Sequence, residues 1–202
     1  MYDVIVRDSL GCEKTLEAEI TQPEELIAEV ANVTDIDCNG NENGAISVDV
    51  EGGTKPYEYI WSNGSTTQDL RNIPAGDYEL TISDQSGCSI TVEATVSQPD
   101  VLALVEDNVE NNLCYGAEEG LIDITVSGGV TPYDFTWSNG EKSEDLINVI
   151  SDTYSVNVKD ANGCVQTLET EVTQPDPLVL EVDSVNNVNC AGDETGYLSV
   201  VA

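Results

Sequence analysis

The sequence predicts an all-β chain built from tandem copies of one small module, and three observations predict it. Landmark residues recur at a fixed step, apolar residues alternate with polar ones, and Gly, Pro and Asn clusters punctuate the alternating runs. The step is set by Thr21-Gln22-Pro23, which returns as Ser97-Gln98-Pro99 and Thr173-Gln174-Pro175, 76 residues apart each time (99 − 23 and 175 − 99). Cys12, Cys88 and Cys164 keep that step, and so do Cys38, Cys114 and Cys190. Trp61 returns as Trp137, and Tyr2 as Tyr78 and Tyr154. No insertion or deletion breaks the register.

The step divides the chain into the C-terminal part of a repeat at 1–24, complete repeats at 25–100 and 101–176, and the N-terminal part of a repeat at 177–202. A longer array is therefore expected, with any signal peptide, anchor or binding head lying elsewhere in it.

Within one repeat the elements follow in order. Leu26 to Asp37, rich in Ile, Val and Thr, reads as a first strand, and Cys38 to Gly44 as a turn. Ile46, Val48 and Val50 alternate with Ser47 and Asp49, as a half-buried strand requires. After the Gly52-Gly53-Thr54-Lys55-Pro56 turn, Tyr57 to Trp61 reads as a strand closed by Asn63-Gly64, a strong hairpin signal. A weaker strand is expected over Thr66 to Leu70. A bend at Ile73-Pro74-Ala75-Gly76 leads to a strand carrying Tyr78, Leu80 and Ile82, and a turn at Asp84 to Gly87 leads to the last strand, Cys88 to Val96. Pro99 ends the module because it offers no ladder amide. Six or seven short strands without helical periodicity predict tandem immunoglobulin-like β-sandwich repeats of 76 residues. Tyr78, just after a Pro/Gly bend, matches the tyrosine corner of such domains, and Tyr154 keeps the place although its bend, Ile150-Ser151-Asp152-Thr153, lacks both residues.

Composition narrows the function classes. Six basic residues stand against 39 acidic ones, a formal charge of −33, and there is no histidine. Nucleic-acid binding, which needs Lys and Arg against phosphate, is excluded, as is attachment to anionic lipid. No apolar run reaches the length of a membrane helix, so membrane insertion is not expected. Without histidine there is no Ser/His/Asp or Cys/His arrangement, and the chain is not expected to be an enzyme. Two cysteines per repeat, without CxxC clustering, point to disulfides and an oxidising compartment rather than to zinc.

The ordered string Gly52-Gly53-Thr54-Lys55-Pro56-Tyr57, Trp61-Ser62-Asn63-Gly64, Asp69-Leu70, Gly76-Asp77-Tyr78, Asp84, Gly87-Cys88 and Gln98-Pro99 resembles the SprB repeat of Bacteroidota gliding-motility and cell-surface adhesins. The second copy repeats it with Gly129, Pro132-Tyr133, Trp137 to Gly140, Asp145-Leu146, Tyr154, Asp160, Asn162-Gly163-Cys164 and Gln174-Pro175. The resemblance implies a long filament on the cell surface, secreted through the type IX system.

Three kinds of candidate site remain. Asp35-Ile36-Asp37-Cys38-Asn39-Gly40 imitates the start of an EF-hand loop, but the other copies, Asn111 to Gly116 and Asn187 to Gly192, lose its carboxylates, and Ile46 stands where the last ligand belongs. Calcium held at Glu24, Asp100 and Asp176, the acids after each junction proline, is an alternative to a plain solvated acidic surface. Trp61, Trp137, Tyr78 and Tyr154 are expected in the core, and Asp8, Asp84 and Asp160 as turn caps. For the cysteines, pairing inside each repeat, Cys38–Cys88 and Cys114–Cys164, suits an independently folding secreted module and leaves Cys12 and Cys190 with partners outside the chain. Cys12–Cys38 with Cys88–Cys114, or Cys38–Cys164, are the alternatives.

The expected role is a structural stalk, or spacer, of a secreted adhesin or filament. Its neighbours would be further copies of the same repeat in cis, with contact to an extracellular surface or polysaccharide made elsewhere. Carbohydrate- or surface-binding modules, and accessory repeats of a secreted enzyme, are the competing readings. Only Tyr115, whose counterparts are Asn39 and Ala191, stands as a loop aromatic free for sugar stacking.

Overall fold

The computed structural model describes residues 1–202 and is all-β. Its strands are β1 (Tyr2–Arg7), β2 (Glu13–Ala18), β3 (Ile27–Thr34), β4 (Gly44–Glu51), β5 (Glu58–Trp61), β6 (Leu70–Ile73), β7 (Gly76–Ser83) and β8 (Ser89–Val96). The same order continues with β9 (Ala103–Glu110), β10 (Gly120–Ser127), β11 (Asp134–Trp137), β12 (Leu146–Val149), β13 (Asp152–Lys159), β14 (Val165–Val172), β15 (Glu181–Asn186) and β16 (Tyr197–Val201). Two compact units divide the chain, Met1–Gln98 and Pro99–Ala202.

Each complete repeat is two three-stranded antiparallel sheets. The first has β3-β4-β6 in one sheet and β5-β7-β8 in the other; the second has β9-β10-β12 and β11-β13-β14. Lettered in chain order, these are the A-B-E and C-F-G sheets of an immunoglobulin-type sandwich lacking the D strand. The inward faces follow the alternation in the sequence. Ile46 and Val48 on β4 meet Leu80 and Ile82 on β7, with Trp61 from β5 and Leu70 from β6 filling the space between, all at most 3% exposed. Ile122, Ile124, Trp137, Leu146, Val156 and Val158 build the same core in the second repeat.

Two sequence expectations shift. The first strand ends at Thr34, not Asp37, and carries a bulge between Val30 and Asn32. The weak strand falls at Leu70–Ile73 and not at Thr66 to Leu70, because the residues before it are held in a loop by side-chain bonds. Trp61 Nε1 donates to Thr67 O at 2.8 Å, Gln68 Nε2 to Val48 O at 2.5 Å, and Val48 N to Asp69 Oδ1 at 3.2 Å.

The Gly52-Gly53 turn is fixed by a close backbone approach. Gly52 sits at φ +69°, and a Cβ there would lie 1.8 Å from Glu25 O; Gly128, at φ +70°, would meet Val101 O at 1.9 Å. Only glycine fits such a position. Tyr57 OH closes the turn by donating to Gly52 O at 2.5 Å, as Tyr133 OH does to Gly128 O. The Lys55–Pro56 and Thr131–Pro132 peptides are cis.

Candidate functional site

The chemically distinctive residues of each repeat gather at its two poles. At the first pole the chain enters β3 and turns from β7 into β8. Asp84 holds it together: Oδ1 accepts from Cys88 N and Oδ2 from Thr54 N, each at 2.8 Å. Burial penalises the Asp84 carboxylate, but the amides of Thr54, Cys88, Ser86 and Gly87 outweigh that, and its pKa falls below the ordinary carboxylate value. Asp160 repeats the geometry with Cys164 N at 2.8 Å and Val130 N at 2.9 Å. The turn cap therefore also reaches across to the Gly-Gly turn 30 residues away in sequence. That second bond is not legible in a local Asx-turn pattern.

At the opposite pole β3 and β8 end side by side. Ile36 N donates to Ser97 O at 2.9 Å, Ser97 N to Asp35 Oδ1 at 2.8 Å, and Gly40 N to Gln98 Oε1 at 3.0 Å. The second repeat has Asn112 N to Thr173 O at 3.0 Å, Thr173 N to Asn111 Oδ1 at 2.8 Å and Gly116 N to Gln174 Oε1 at 2.7 Å. The Gln-Pro signature thus supplies a glutamine that ties down the cysteine turn. The EF-hand imitation has the same explanation. Asp35 staples β8, while Asp37 accepts from Asn41 Nδ2 at 2.7 Å and Cys38 N at 2.6 Å, and these bonds lower its pKa, Asn41 most.

The poles decide the cysteine chemistry. Cys38 lies beyond the end of β3, at the Ser97 pole, and Cys88 lies at the Asp84 pole, before the start of β8. The eight residues of β8 separate them by ~23 Å at ~3.3 Å per step, and a disulfide tolerates a Cα separation of at most about 7 Å. Cys114 and Cys164 stand at opposite poles of the second repeat in the same way. The internal pairings Cys38–Cys88 and Cys114–Cys164 are accordingly not formed. Cys38 and Cys164 are each disulfide-bonded, whereas Cys12, Cys88, Cys114 and Cys190 are free thiols, so Cys12–Cys38 and Cys88–Cys114 are not formed either.

The aromatic residues face inward. Trp61 and Trp137 are 2% exposed, and Trp137 Nε1 donates to Ser143 O at 2.9 Å. Tyr78 OH donates to Pro74 O at 2.9 Å and Tyr154 OH to Ile150 O at 3.0 Å, the corner bond four residues upstream. Burial raises both phenol pKa values, with Glu42 adding to it for Tyr78 and Asp152 for Tyr154, so both hydroxyls remain donors. Tyr115 is exposed. Glu24, Asp100 and Asp176 are also exposed; Glu24 and Asp100 offer backbone carbonyls to Gly53 N and Gly129 N at 2.9 Å. No three acidic or cysteine side chains converge as a metal site. No helix is long and apolar enough to cross a membrane.

Residues 30–66 and 107–142 match the family described as SprB repeat, the same part of each copy. No curated protein matches the chain. Among solved structures it is similar to the three N-terminal domains of the bacteriophage RB49 highly immunogenic outer capsid protein, with 15% identity and a TM-score of 0.43. That likeness covers 80% of this chain and 63% of that one. A C-terminal 282-residue fragment of intimin, solved with the intimin-binding domain of its translocated receptor, gives 16% identity, a TM-score of 0.44 and coverage of 81% and 67%. Sidekick-1 immunoglobulin domains 1–5 cover 91% of the chain at 12% identity and a TM-score of 0.35.

Proposed function

We propose that this chain, which carries two SprB repeats, is a non-catalytic spacer segment of a secreted cell-surface adhesin or filament. One observation carries the reading. Both complete repeats spend their special side chains on themselves, and at matching positions. Trp61 and Trp137 fill the cores, Tyr78 and Tyr154 lock the corners, Asp84 and Asp160 clasp one pole, and Gln98 and Gln174 tie the other. What remains outside is an acidic surface with a net charge that keeps an extended array soluble and self-repelling. The disulfide is consistent with an oxidising, extracellular compartment. Gliding motility and type IX export are the settings the family suggests for such a stalk.

A spacer transmits force and sets distance without a ligand of its own. Stretching the chain between a bead and a surface, with Cys38 and Cys164 reduced, should give repeated unfolding peaks, each releasing roughly the contour length of one 76-residue repeat at about 3.6 Å per residue. The same protein should show no saturable retention on polysaccharides or matrix proteins. Saturable binding lost in Tyr115→Ala would instead favour a binding module, the second reading, which rests on that one exposed loop aromatic.

A further inference from the structure

Five Asn-Gly steps occur in the chain, at Asn39, Asn43, Asn63, Asn139 and Asn162. Such a step carries its own chemistry, because glycine has no side chain to keep its main-chain nitrogen away from the preceding side-chain amide. The glycine nitrogen loses its proton and bonds to the asparagine Cγ. The Cγ–Nδ2 bond breaks, ammonia leaves with that proton, and a succinimide ring is closed. Water then opens the ring at either carbonyl, giving aspartate or, with the main chain rerouted through the side chain, isoaspartate. The attack needs a glycine nitrogen that is free to release its proton and swing towards the side chain. The bond each glycine N–H makes therefore decides the site.

Four of the five steps are held by the main chain or by packing. Gly64 N donates to Trp61 O and Gly140 N to Trp137 O, each at 2.9 Å inside a hairpin turn, and Gly163 N donates to Asp160 O at 3.0 Å. In the two hairpins the asparagine is engaged as well, Asn63 Oδ1 accepting from Ser65 N and Asn139 Oδ1 from Glu141 N. Gly44 is buried at the start of β4, where a Cβ would lie 2.7 Å from Val96 Cγ1 and 2.8 Å from Ile73 O. Gly40 is the exception. Its N–H donates to a side chain, Gln98 Oε1 at 3.0 Å, and Asn39, Gly40 and Gln98 are all exposed.

We propose that Asn39 is a self-modification site of the first repeat, and that Gln98 is the residue that keeps it unmodified. The nucleophile is withheld by one solvent-exposed side chain, 58 residues away in sequence. Conversion adds a carboxylate to a turn that already carries Asp37 and Glu42. Isoaspartate also lengthens the main chain by a methylene between the disulfide-bonded Cys38 and Gly40. The tie between the cysteine turn and the end of β8 then loosens with age, at the pole where Ser97 N bonds Asp35. The second repeat has the same glutamine bond, Gly116 N to Gln174 Oε1. There Tyr115 precedes the glycine and offers no side-chain carbonyl to attack. The modification at this turn thus belongs to one repeat of the two.

Incubating the full chain in mildly alkaline buffer, followed by peptide mapping, tests this. Isoaspartate is scored by enzymatic methylation, and aspartate by the mass change from amide to acid. In the wild-type chain Asn39 should convert before the other four asparagines. Gln98→Ala should speed conversion at Asn39 by about 2- to 10-fold, the factor carried by one hydrogen bond of ordinary net strength, and leave Asn63 unchanged. Gln98→Glu still presents an acceptor and should keep the slow rate. Trp fluorescence verifies that both variants are folded. An Asn39 rate indifferent to Gln98→Ala overturns the proposal, as does a Gln98→Glu chain that converts as fast as Gln98→Ala. A rise that Asn63 shares in equal measure overturns it too, since Gln98 would then be a brace of the whole repeat. Earlier conversion at any of the other four asparagines of the wild-type chain has the same force.

Discussion

At the pole where the first strand of each repeat ends, Ile36 and Asn112 occupy equivalent positions and are equally buried, at 3% exposure. Ile36 joins the apolar cluster. Asn112 instead spends its amide on the backbone, donating from Nδ2 to Val149 O at 3.2 Å and accepting at Oδ1 from Glu119 N at 2.7 Å. The backbone around the two is the same, and no buried side-chain nitrogen or oxygen anywhere in the chain lacks a partner. A buried site in this fold thus accepts either an apolar filler or a polar group whose bonds are complete; an unsatisfied one is what it cannot accept. The outer faces of the same sheets diverge further. The second repeat sets Asp107, Asp123 and Asp145 together where the first has Ala31, Ser47 and Asp69. Burial, then Asp145 and Asp107, raise the pKa of Asp123.

The largest expected effect probes what the repeats share. Trp61→Ala and Trp137→Ala should each destabilise their own repeat by about 3–5 kcal/mol in denaturant unfolding. The remaining tryptophan then reports on the other repeat, and a cost confined to one variant would show that the two cores are not equivalent. The next probes where they differ. Ile36→Ala should cost about 2–5 kcal/mol through a cavity, and Asn112→Ala about 1–3 kcal/mol through the unpaired Val149 O and Glu119 N. Equal costs for the two variants would erase the chemical contrast.

A smaller effect is set by pH, with opposite signs in the two repeats. The folded-state pKa of Asp123 is raised, so its ionised form disfavours folding above the ordinary carboxylate range, and protonation relieves this as pH falls. Asp123→Ser should therefore raise the Tm of the second repeat at neutral pH, with the gain vanishing on acidification. The pKa of Asp84 is lowered, so its contribution is present above the unfolded carboxylate pKa and lost as pH falls through the folded value. Asp84→Asn should lower the Tm of the first repeat at neutral pH and cost nothing in acid. The smallest effect is Tyr59→Phe, which copies Phe135 of the second repeat. It removes only an exposed 3.3 Å bond to Gln68 Oε1, and less than about 1 kcal/mol is expected in the same titration.

The strand faces were legible because alternation at period two states which side chains go inward, as Ile46, Val48, Leu80 and Ile82 show. The Trp61 core position and the Tyr78 corner follow from the same alternation and from the bend before them. The strand at Leu70–Ile73 was misplaced because the threonines at 66 and 67 suit a strand locally. Here Thr67 Oγ1 instead bonds Asp69 O at 2.5 Å within a loop. The cysteine pairing was hidden for a different reason. Spacing along the chain carries no information about which pole a turn occupies, and that is settled only once β8 is known to run the length of the sandwich. The role of Gln98 was likewise invisible, since its partner, Gly40 N, lies 58 residues away.

Consider last the end-by-end arrangement of β3 and β8. Leu26, just before β3, lies against Gly53 and through it near Asp84, and Asp35 and Ile36, just after β3, bond Ser97. The first and last strands of the repeat therefore run the same way, with the chain entering at one pole and leaving at the other. With Cys38 and Cys164 reduced, a pull applied to the two ends of a repeat loads these strands along their length, in shear. The bonds from Asp35, Ile36 and Gly40 to Ser97 and Gln98 must then break together instead of opening one after another. Under tension the lifetime of each module is governed by its unfolding rate and not by its equilibrium stability.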